Sequence, residues 1–182
     1  MPWFQRKKAS GTPGEPPAAQ PAAAPAQTLS ISRLLSEDLI LAAPVGADKD
    51  KFMEALARRL CEKRKLGSPA PFLAKVHERE QGISTTLDTG LSMPHARMDN
   101  LEGIAAVLGL VPQGMPDPKQ PDLTIRAMFM FFSPNRQEAF TQHLHLLRGV
   151  SALFQAAFIE DMLKDPKPEA VLALIRSKEQ SV

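Results

Sequence analysis

The residues best suited to chemistry in this sequence are its four histidines, which are His77, His95, His143 and His145. His95 lies in the stretch GLSMPHAR, residues 90–97, directly after a proline. Pro94 fixes its own φ angle and has no N–H to donate, and it biases Met93 towards an extended conformation. His95 is therefore predicted at a strand end or in a rigid turn, where the imidazole has one orientation. A neutral imidazole held in this way is a good nucleophile near neutral pH.

A second histidine is singled out by the geometry of the helix predicted over residues 136–156. With 3.6 residues per turn, His143 shares a face with three apolar residues, which are Leu147, Val150 and Phe154. His145 points about 200° away, towards the polar side of the helix. Two helical residues that are two positions apart do not share one metal ion, and no cysteine or carboxylate cluster has zinc spacing. We therefore predict no metal site, with His143 facing the domain and His145 facing solvent.

Histidine and arginine together indicate an anionic ligand, because a guanidinium fork holds the oxygens of a phosphate. Arg79 lies in the stretch ERE at the end of a predicted helix. The motifs of the nucleophile elbow, the phosphate-binding loop and the dinucleotide-binding turn are absent, and no cofactor is predicted. Residue types alone favour simpler interpretations, with His143 as a hydrogen-bonded histidine at the core edge and Arg79 as a solvated helix end.

The hydrophobic pattern predicts the elements that position these side chains. Helical periodicity runs from a cap at Asp48 or Asp50 to Gly67, and again over about residues 69–80, 136–156, 158–164 and 168–178. An extended apolar segment is predicted over 38–45, and strands over GLSMPHA, 103–111 and 123–132. The last two are nearly continuous apolar runs, as in a sheet covered on both faces. The proline-rich stretch 112–122 between them is predicted as a loop. The expected fold class is α/β, a single three-layer α/β/α domain with a mixed sheet.

Composition separates a tail from this domain. Residues 1–27 contain six of the 17 prolines and are predicted as a disordered Pro/Ala-rich tail, followed by one domain over 28–182. The tail has three basic residues and one acidic residue, whereas the domain has nineteen of each. A domain without basic excess argues against nucleic-acid binding.

The single cysteine and the hydropathy pattern indicate where the protein works. One cysteine excludes a disulfide framework within the chain, and Cys61 is predicted as a small buried core residue. No apolar run approaches the length of a membrane span, and the N-terminus has no apolar signal core. We expect a cytoplasmic protein that meets a membrane only indirectly, through its partners.

The order of these motifs resembles a known family. REQGISTTLDTGLSMPHAR is followed by the strands IAAVLGLVP and AMFMFFSPN and then by HLHLLRGVSALF. This order is similar to the fructose/mannitol and nitrogen-type enzyme IIA domain of the bacterial phosphotransferase system, over roughly residues 28–178. The resemblance implies a phosphohistidine carrier that requires no metal or cofactor. It implies that His95 is phosphorylated, that Arg79 contacts the phosphoryl group and that His143 is the second active-site histidine. Ser84 and Thr85 match the ST pair beside the site.

The loop before His95 departs from the family pattern. Two family glycines are replaced by Thr86 and Asp88, and the family asparagine by Thr89. Glycines in such a loop often supply a positive φ, so the replacements predict a different loop path. Asp88 would also place a negative charge near a phosphoryl group.

The resemblance also implies partners and leaves alternatives. The expected donor is the histidine-containing phosphocarrier protein or its nitrogen-branch relative. A free-standing domain favours the nitrogen-type regulatory branch, whose phosphorylation state regulatory proteins would read. The alternatives are a fructose-class transport component that passes the group to a IIB cysteine, a binding module deficient in transfer, and an α/β domain whose histidines are only structural.

Overall fold

A computed structural model describes residues 29–181. The predicted tail over residues 1–27 lies outside the described residues, and the domain boundaries stay predictions. Within residues 29–181 the elements follow in the order α1 (Ile31–Leu34), β1 (Ile40–Ala42), α2 (Lys49–Arg64), α3 (Ala70–Glu80), β2 (Leu91–Ser92), β3 (His95–Met98), β4 (Ala105–Asp117), β5 (Gln120–Pro134), α4 (Phe140–Leu153), α5 (Ala156–Lys164) and α6 (Pro168–Gln180). None of these helices is long and apolar enough to cross a membrane.

The sheet is mixed, as predicted. β4 and β5 form a central antiparallel pair, and β1 lies parallel to β4 along its outer edge. β2 and β3 both lie parallel to β5 along the opposite edge. The predicted strand GLSMPHA is thus two short strands, separated by Met93 and Pro94. The proline has no N–H for the ladder, which accounts for the interruption before His95.

Helices cover both faces of the sheet, which confirms the predicted three-layer architecture. On one face Phe132 meets Phe72 of α3 edge to face, with 4.9 Å between the ring centroids. Residues of odd number in β5 point to the other face, where Phe129 contacts Phe154, just after α4, at 5.7 Å between centroids. All four phenylalanines are buried in one continuous core.

The proline-rich segment 112–122 was wrongly predicted as a loop. β4 and β5 continue through it as a long hairpin. Register shifts occur between Leu110 and Met115 and again between Pro116 and Asp117, and Gly114 has a φ of 73°. Such bulges let a β-ladder accommodate residues that interrupt regular pairing. The local sequence pattern does not indicate where bulges of this kind occur.

Two other predicted elements are shorter than expected. The extended segment 38–45 contains a 3₁₀ turn over Glu37–Leu39 and the three-residue strand β1. The helix predicted over 136–156 begins only after a 3₁₀ turn and ends at Leu153, because the backbone at Phe154 and Gln155 is not helical.

A Gly109→Ala substitution is expected to destabilise the domain by about 1–3 kcal/mol. A Cβ at Gly109 would lie 2.5 Å from Cε1 and 2.7 Å from Cζ of Phe52, so the α2–β4 contact would have to open. Urea denaturation of the variant measures the loss. Gly103→Ala is the matched control, since nothing lies within 4 Å of its added Cβ. Equal transition midpoints for the two variants would contradict the tight helix–sheet contact.

Candidate functional site

His95 begins β3 and is 8% exposed. Its ring stacks on that of its register partner Phe131, with 5.3 Å between centroids and 10° between planes. Nδ1 lies 2.8 Å from the carbonyl oxygen of Met93. A carbonyl oxygen only accepts, so Nδ1 carries the proton and donates it to this bond. In the neutral ring the lone pair is therefore on Nε2.

His143 comes from α4 and reaches the same face of the sheet. The His95 and His143 rings lie 5.4 Å apart between centroids, and His143 is 6% exposed. Its Nδ1 lies 2.8 Å from Oγ of Ser133 in β5. His145 on the same helix is exposed, so the predicted orientations of both histidines are confirmed.

Burial keeps both imidazoles uncharged. Burial lowers the pKa of His95 below its ordinary value, the hydrogen bond to Met93 opposes this, and the positive charge of Arg79 adds to the lowering. Burial, followed by the charges of His95 and Arg97, lowers the pKa of His143 to about 4. At neutral pH the site therefore presents two neutral rings beside each other, one with a lone pair available for attack.

Arg79 lies in the last turn of α3, exposed to solvent. Its Nη1 donates to the carbonyl oxygen of Ile83 at 3.3 Å. Its charge lowers the pKa of His95, as described above, so the guanidinium lies within electrostatic range of the His95 ring. Arg79 therefore contributes positive charge to the surroundings of His95 from an exposed position.

Ser84 and Thr85 turn their hydroxyl groups to buried carboxylates. Ser84 Oγ donates to Asp117 at 2.6 Å, and Thr85 Oγ1 donates to Glu80. Their link to the imidazole is through the backbone, because the Thr85 carbonyl accepts from the N–H of Met93 at 3.1 Å. The pair therefore positions the segment that holds His95 Nδ1.

A buried ion cluster, formed by Lys49, Glu80 and Asp117, anchors this segment. Lys49 Nζ donates to Glu80 at 2.7 Å and to Asp117 at 3.1 Å, and all three side chains are less than a tenth exposed. Burial alone would raise the pKa of Asp117, but hydrogen bonds led by the one from Ser84 hold it well below its usual range. A chain of hydrogen bonds thus runs from Lys49 through Glu80 and Thr85 to the carbonyl that orients His95.

Comparison with known proteins identifies the family. Residues 33–178 match the family described as "Phosphoenolpyruvate-dependent sugar phosphotransferase system, EIIA 2", which covers most of the chain. The chain belongs to this family. This IIA domain is therefore a phosphotransfer component of that system, as the sequence resemblance predicted. Comparison with curated protein sequences gives no match.

Solved structures agree on the fold of this IIA domain. The nitrogen regulatory protein IIA-Ntr from Neisseria meningitidis superposes with a TM-score of 0.68 at 22% identity, over 80% of this chain and 98% of that one. IIA mannitol from Escherichia coli superposes with a TM-score of 0.62 at 20% identity, over 78% and 98%. The complex of enzyme IIA mannitol with phosphorylated enzyme IIB mannitol, also from Escherichia coli, superposes with a TM-score of 0.65 at 18% identity. The match covers 79% of this chain and 97% of that one.

The loop in which this IIA domain departs from its family pattern is free of backbone strain. Thr86, Asp88 and Thr89 have no positive φ, whereas the retained Gly90 has a φ of 82°. Thr86 forms an antiparallel bridge with Ser92, and the Thr86 hydroxyl donates a hydrogen bond to Oγ of Ser92 at 3.1 Å. Asp88 is exposed and is not among the charges that shift the pKa of His95.

Three residues in or beside this site were not predicted from the sequence, namely Ser133, Lys49 and Arg97. Ser133 carries no motif, and a lysine at a helix start such as Lys49 is ordinarily solvated. Arg97 offered a usable signal, because residues two apart on a strand share a face and Arg97 therefore follows His95 on its side of the sheet.

Proposed function

We propose that this IIA domain is a phosphohistidine carrier that accepts a phosphoryl group on Nε2 of His95. The donor is a histidine-containing phosphocarrier protein or its nitrogen-branch relative. The observation that carries the proposal is the hydrogen bond from His95 Nδ1 to the carbonyl oxygen of Met93. It leaves the lone pair on Nε2, and the lowered pKa of the buried ring keeps that lone pair free at neutral pH.

The transfer step exchanges one N–P bond for another. Nε2 of His95 attacks the phosphorus of the donor's phosphohistidine in line with the bond that breaks, and the donor ring leaves with its electron pair. If the donor's other ring nitrogen is protonated, it departs as a neutral imidazole, and no proton has to move. The new phosphoimidazolium keeps its Nδ1 proton in the bond to Met93. Positioning and charge stabilisation therefore account for the catalysis.

Two further side chains stabilise the transferred group in this proposal. His143 Nδ1 lies 2.8 Å from the Ser133 hydroxyl, and in the tautomer in which Nδ1 accepts from that hydroxyl, Nε2–H of His143 donates to the transferred group. Arg79 supplies positive charge from an exposed position. Preorganised donors of this kind stabilise charge that develops in a transition state. Ser84 and Thr85 act through the backbone, as positioning residues.

Exposed apolar side chains around the two histidines support a protein donor. Phe140 is 46% exposed and Leu144 47%, both on α4 beside His143. Ile83, next to the Arg79 side chain, is 78% exposed. We call these three side chains together the apolar rim, and exposed apolar side chains beside polar ones suit docking of a partner protein. We assign the rim to the phosphocarrier.

No thiol among residues 29–181 is suited to receive the phosphoryl group from His95. Cys61, the single cysteine, is 2% exposed, and burial raises the pKa of its thiol, so it is a poor phosphoryl acceptor. We propose the nitrogen-type regulatory role, in which target proteins respond to the phosphorylation state. The alternative is a fructose-class transport component whose receiver is the cysteine of a IIB subunit.

Incubation with phosphoenolpyruvate, enzyme I and the phosphocarrier tests the proposal. Intact mass should show one added acid-labile phosphoryl group in the wild type and in His145→Ala, and none in His95→Ala. His145→Ala is the matched control because His145 is an exposed histidine beside the site. A folded wild type that gains no phosphoryl group would contradict the proposal and favour a binding module. Transfer from the phosphorylated domain to a purified IIB subunit would select the transport alternative.

A further inference from the structure

Arg97 belongs to the surface that carries both histidines. It lies two residues after His95 on β3, so its side chain leaves the same face of the sheet roughly 7 Å further along the strand. Its register partner on β5 is Ser133, the residue whose hydroxyl bonds His143. The two strands therefore place His95, Arg97 and Ser133 on the face of the sheet that His143 contacts.

The guanidinium of Arg97 is only partly bound. One nitrogen, Nη2, donates to the carbonyl oxygen of Arg136 at 2.8 Å, and the group lies over the ring of Phe140 at 5.3 Å from its centroid. Its Nε–H is buried and finds no acceptor among residues 29–181. A buried donor without a protein acceptor is unusual in a folded protein, and either water or the oxygen of a ligand can complete it.

The positive charge of Arg97 affects the titration of His143. After burial, which is the largest cause, the positive charge of Arg97 contributes to lowering the pKa of His143. Arg79, by contrast, is exposed and donates to the backbone of Ile83. Of the two arginines, Arg97 has the donor without a partner, and it stands on the strand that carries the nucleophile.

We propose that Arg97 binds the phosphoryl group on His95 and moves away from Phe140 when it does so. The inference rests on phosphorylation of His95 as proposed above. The phosphoryl group brings about two negative charges and three acceptor oxygens, and a guanidinium binds such oxygens through charge-assisted hydrogen bonds that are stronger than its contact with an aromatic ring. Phosphorylation thereby uncovers the half-exposed ring of Phe140, and a partner that touches this ring can distinguish the two states.

The transfer step remains balanced with Arg97 in this role. The donor's N–P bond breaks as the Nε2–P bond of His95 forms, and Arg97 exchanges no proton. It stabilises the charge of the equatorial oxygens during transfer, so its loss should slow transfer more than donor binding.

Potassium phosphoramidate provides a test that needs no partner protein. Nε2 of His95 attacks its phosphorus, the P–N bond breaks and ammonia leaves. Wild type, Arg97→Gln and Arg97→Lys are phosphorylated and followed by intact mass, with Arg58→Gln, an exposed arginine on α2, as the matched charge control. The ring signals of Phe140 are followed by NMR and assigned with Phe140→Leu. We expect the Phe140 signals to shift on phosphorylation in the wild type and in Arg58→Gln but not in Arg97→Gln.

The transfer kinetics from the phosphocarrier complete the test. We expect kcat to fall at least tenfold in Arg97→Gln with KM within about twofold of the wild type, and an intermediate kcat in Arg97→Lys. The inference would be overturned if Arg97→Gln kept the wild-type kcat. It would also be overturned if the Phe140 signals of the wild type did not shift on phosphorylation. Labelling by phosphoramidate but not by the phosphocarrier would refute the proposed donor alone, and the phosphoramidate rates and Phe140 signals would still decide the role of Arg97. Absence of label on His95 from both donors would overturn both proposals.

Discussion

A Lys49→Met variant is expected to lose about 3–5 kcal/mol of its free energy of unfolding. Lys49 is the only side-chain cation bonded to the buried carboxylates of Glu80 and Asp117 among residues 29–181. Removing it leaves two buried negative charges beside each other without compensation. Urea denaturation at pH 7 measures the loss. Lowering the pH should restore part of the stability in this variant, because protonation of one carboxyl relieves the repulsion.

The matched control is Lys51→Met, two residues later on the exposed side of the same helix. Lys51 pairs with Asp48 at 3.1 Å with its side chain 81% exposed, and surface pairs of this kind contribute little. Equal unfolding midpoints for Lys49→Met and Lys51→Met would show that the buried ion cluster contributes no more to the free energy of unfolding than a surface pair does.

The Lys49→Met variant should also lose phosphoryl acceptance from the phosphocarrier under conditions in which it is still folded. The chain of hydrogen bonds from Lys49 through Glu80 and Thr85 ends at the Met93 segment that fixes the His95 tautomer. Disorder in that segment would break the hydrogen bond between His95 Nδ1 and the carbonyl oxygen of Met93, and the ring would no longer be fixed in one tautomer. Acceptance from the phosphocarrier, measured at a urea concentration at which circular dichroism shows native structure, checks this.

Acidification is expected to cost the wild type on the order of 3 kcal/mol of stability through His143 alone. Its pKa is about 4 in the folded chain against an ordinary value of 6.5. Between these two pH values the unfolded chain binds a proton that the folded chain does not. The stabilisation is therefore complete above pH 6.5 and is lost as the pH falls to about 4. Urea denaturation at half-unit steps of pH resolves the slope.

His143→Gln should flatten this slope, because glutamine binds no proton in either state. The lowered pKa of His95 should leave a residual slope in the variant. His145→Gln, which replaces an exposed histidine on the same helix, should keep the wild-type slope. If His143→Gln also keeps it, His143 is not held neutral by burial in the folded chain.

The parts of the fold that sequence predicted are those with local causes. The apolar stripe of α2 and its cap at Asp48, which accepts from the N–H of Lys51 at 2.8 Å, follow from helical periodicity and capping chemistry. The orientation of His143 against His145 follows from 3.6 residues per turn. The setting of His95 follows from the missing N–H of Pro94. Each conclusion needs only neighbours within a few residues.

The rest depends on contacts between distant residues. The Ser133–His143 bond joins β5 to α4, and the burial of Lys49 depends on carboxylates 31 and 68 residues away. The extension of the β4–β5 hairpin through a proline-rich stretch depends on bulges that cross-strand pairing creates. Local pattern carries little information about such pairings, because a charged residue or a proline is ordinarily found on the surface or in a loop.

His95 and the loop before it have different cross-strand partners. His95 takes its place from its register with Phe131 in β5, whereas the departing loop is attached through Thr86 and Ser92 and turns at Gly90. Substitutions at the exposed Asp88 therefore alter the surface offered to a partner and leave Nε2 where it is. Duplicated copies of such a domain can diverge in partner choice while they keep the same chemistry. This separation is a physical route to parallel phosphate relays that do not cross-react.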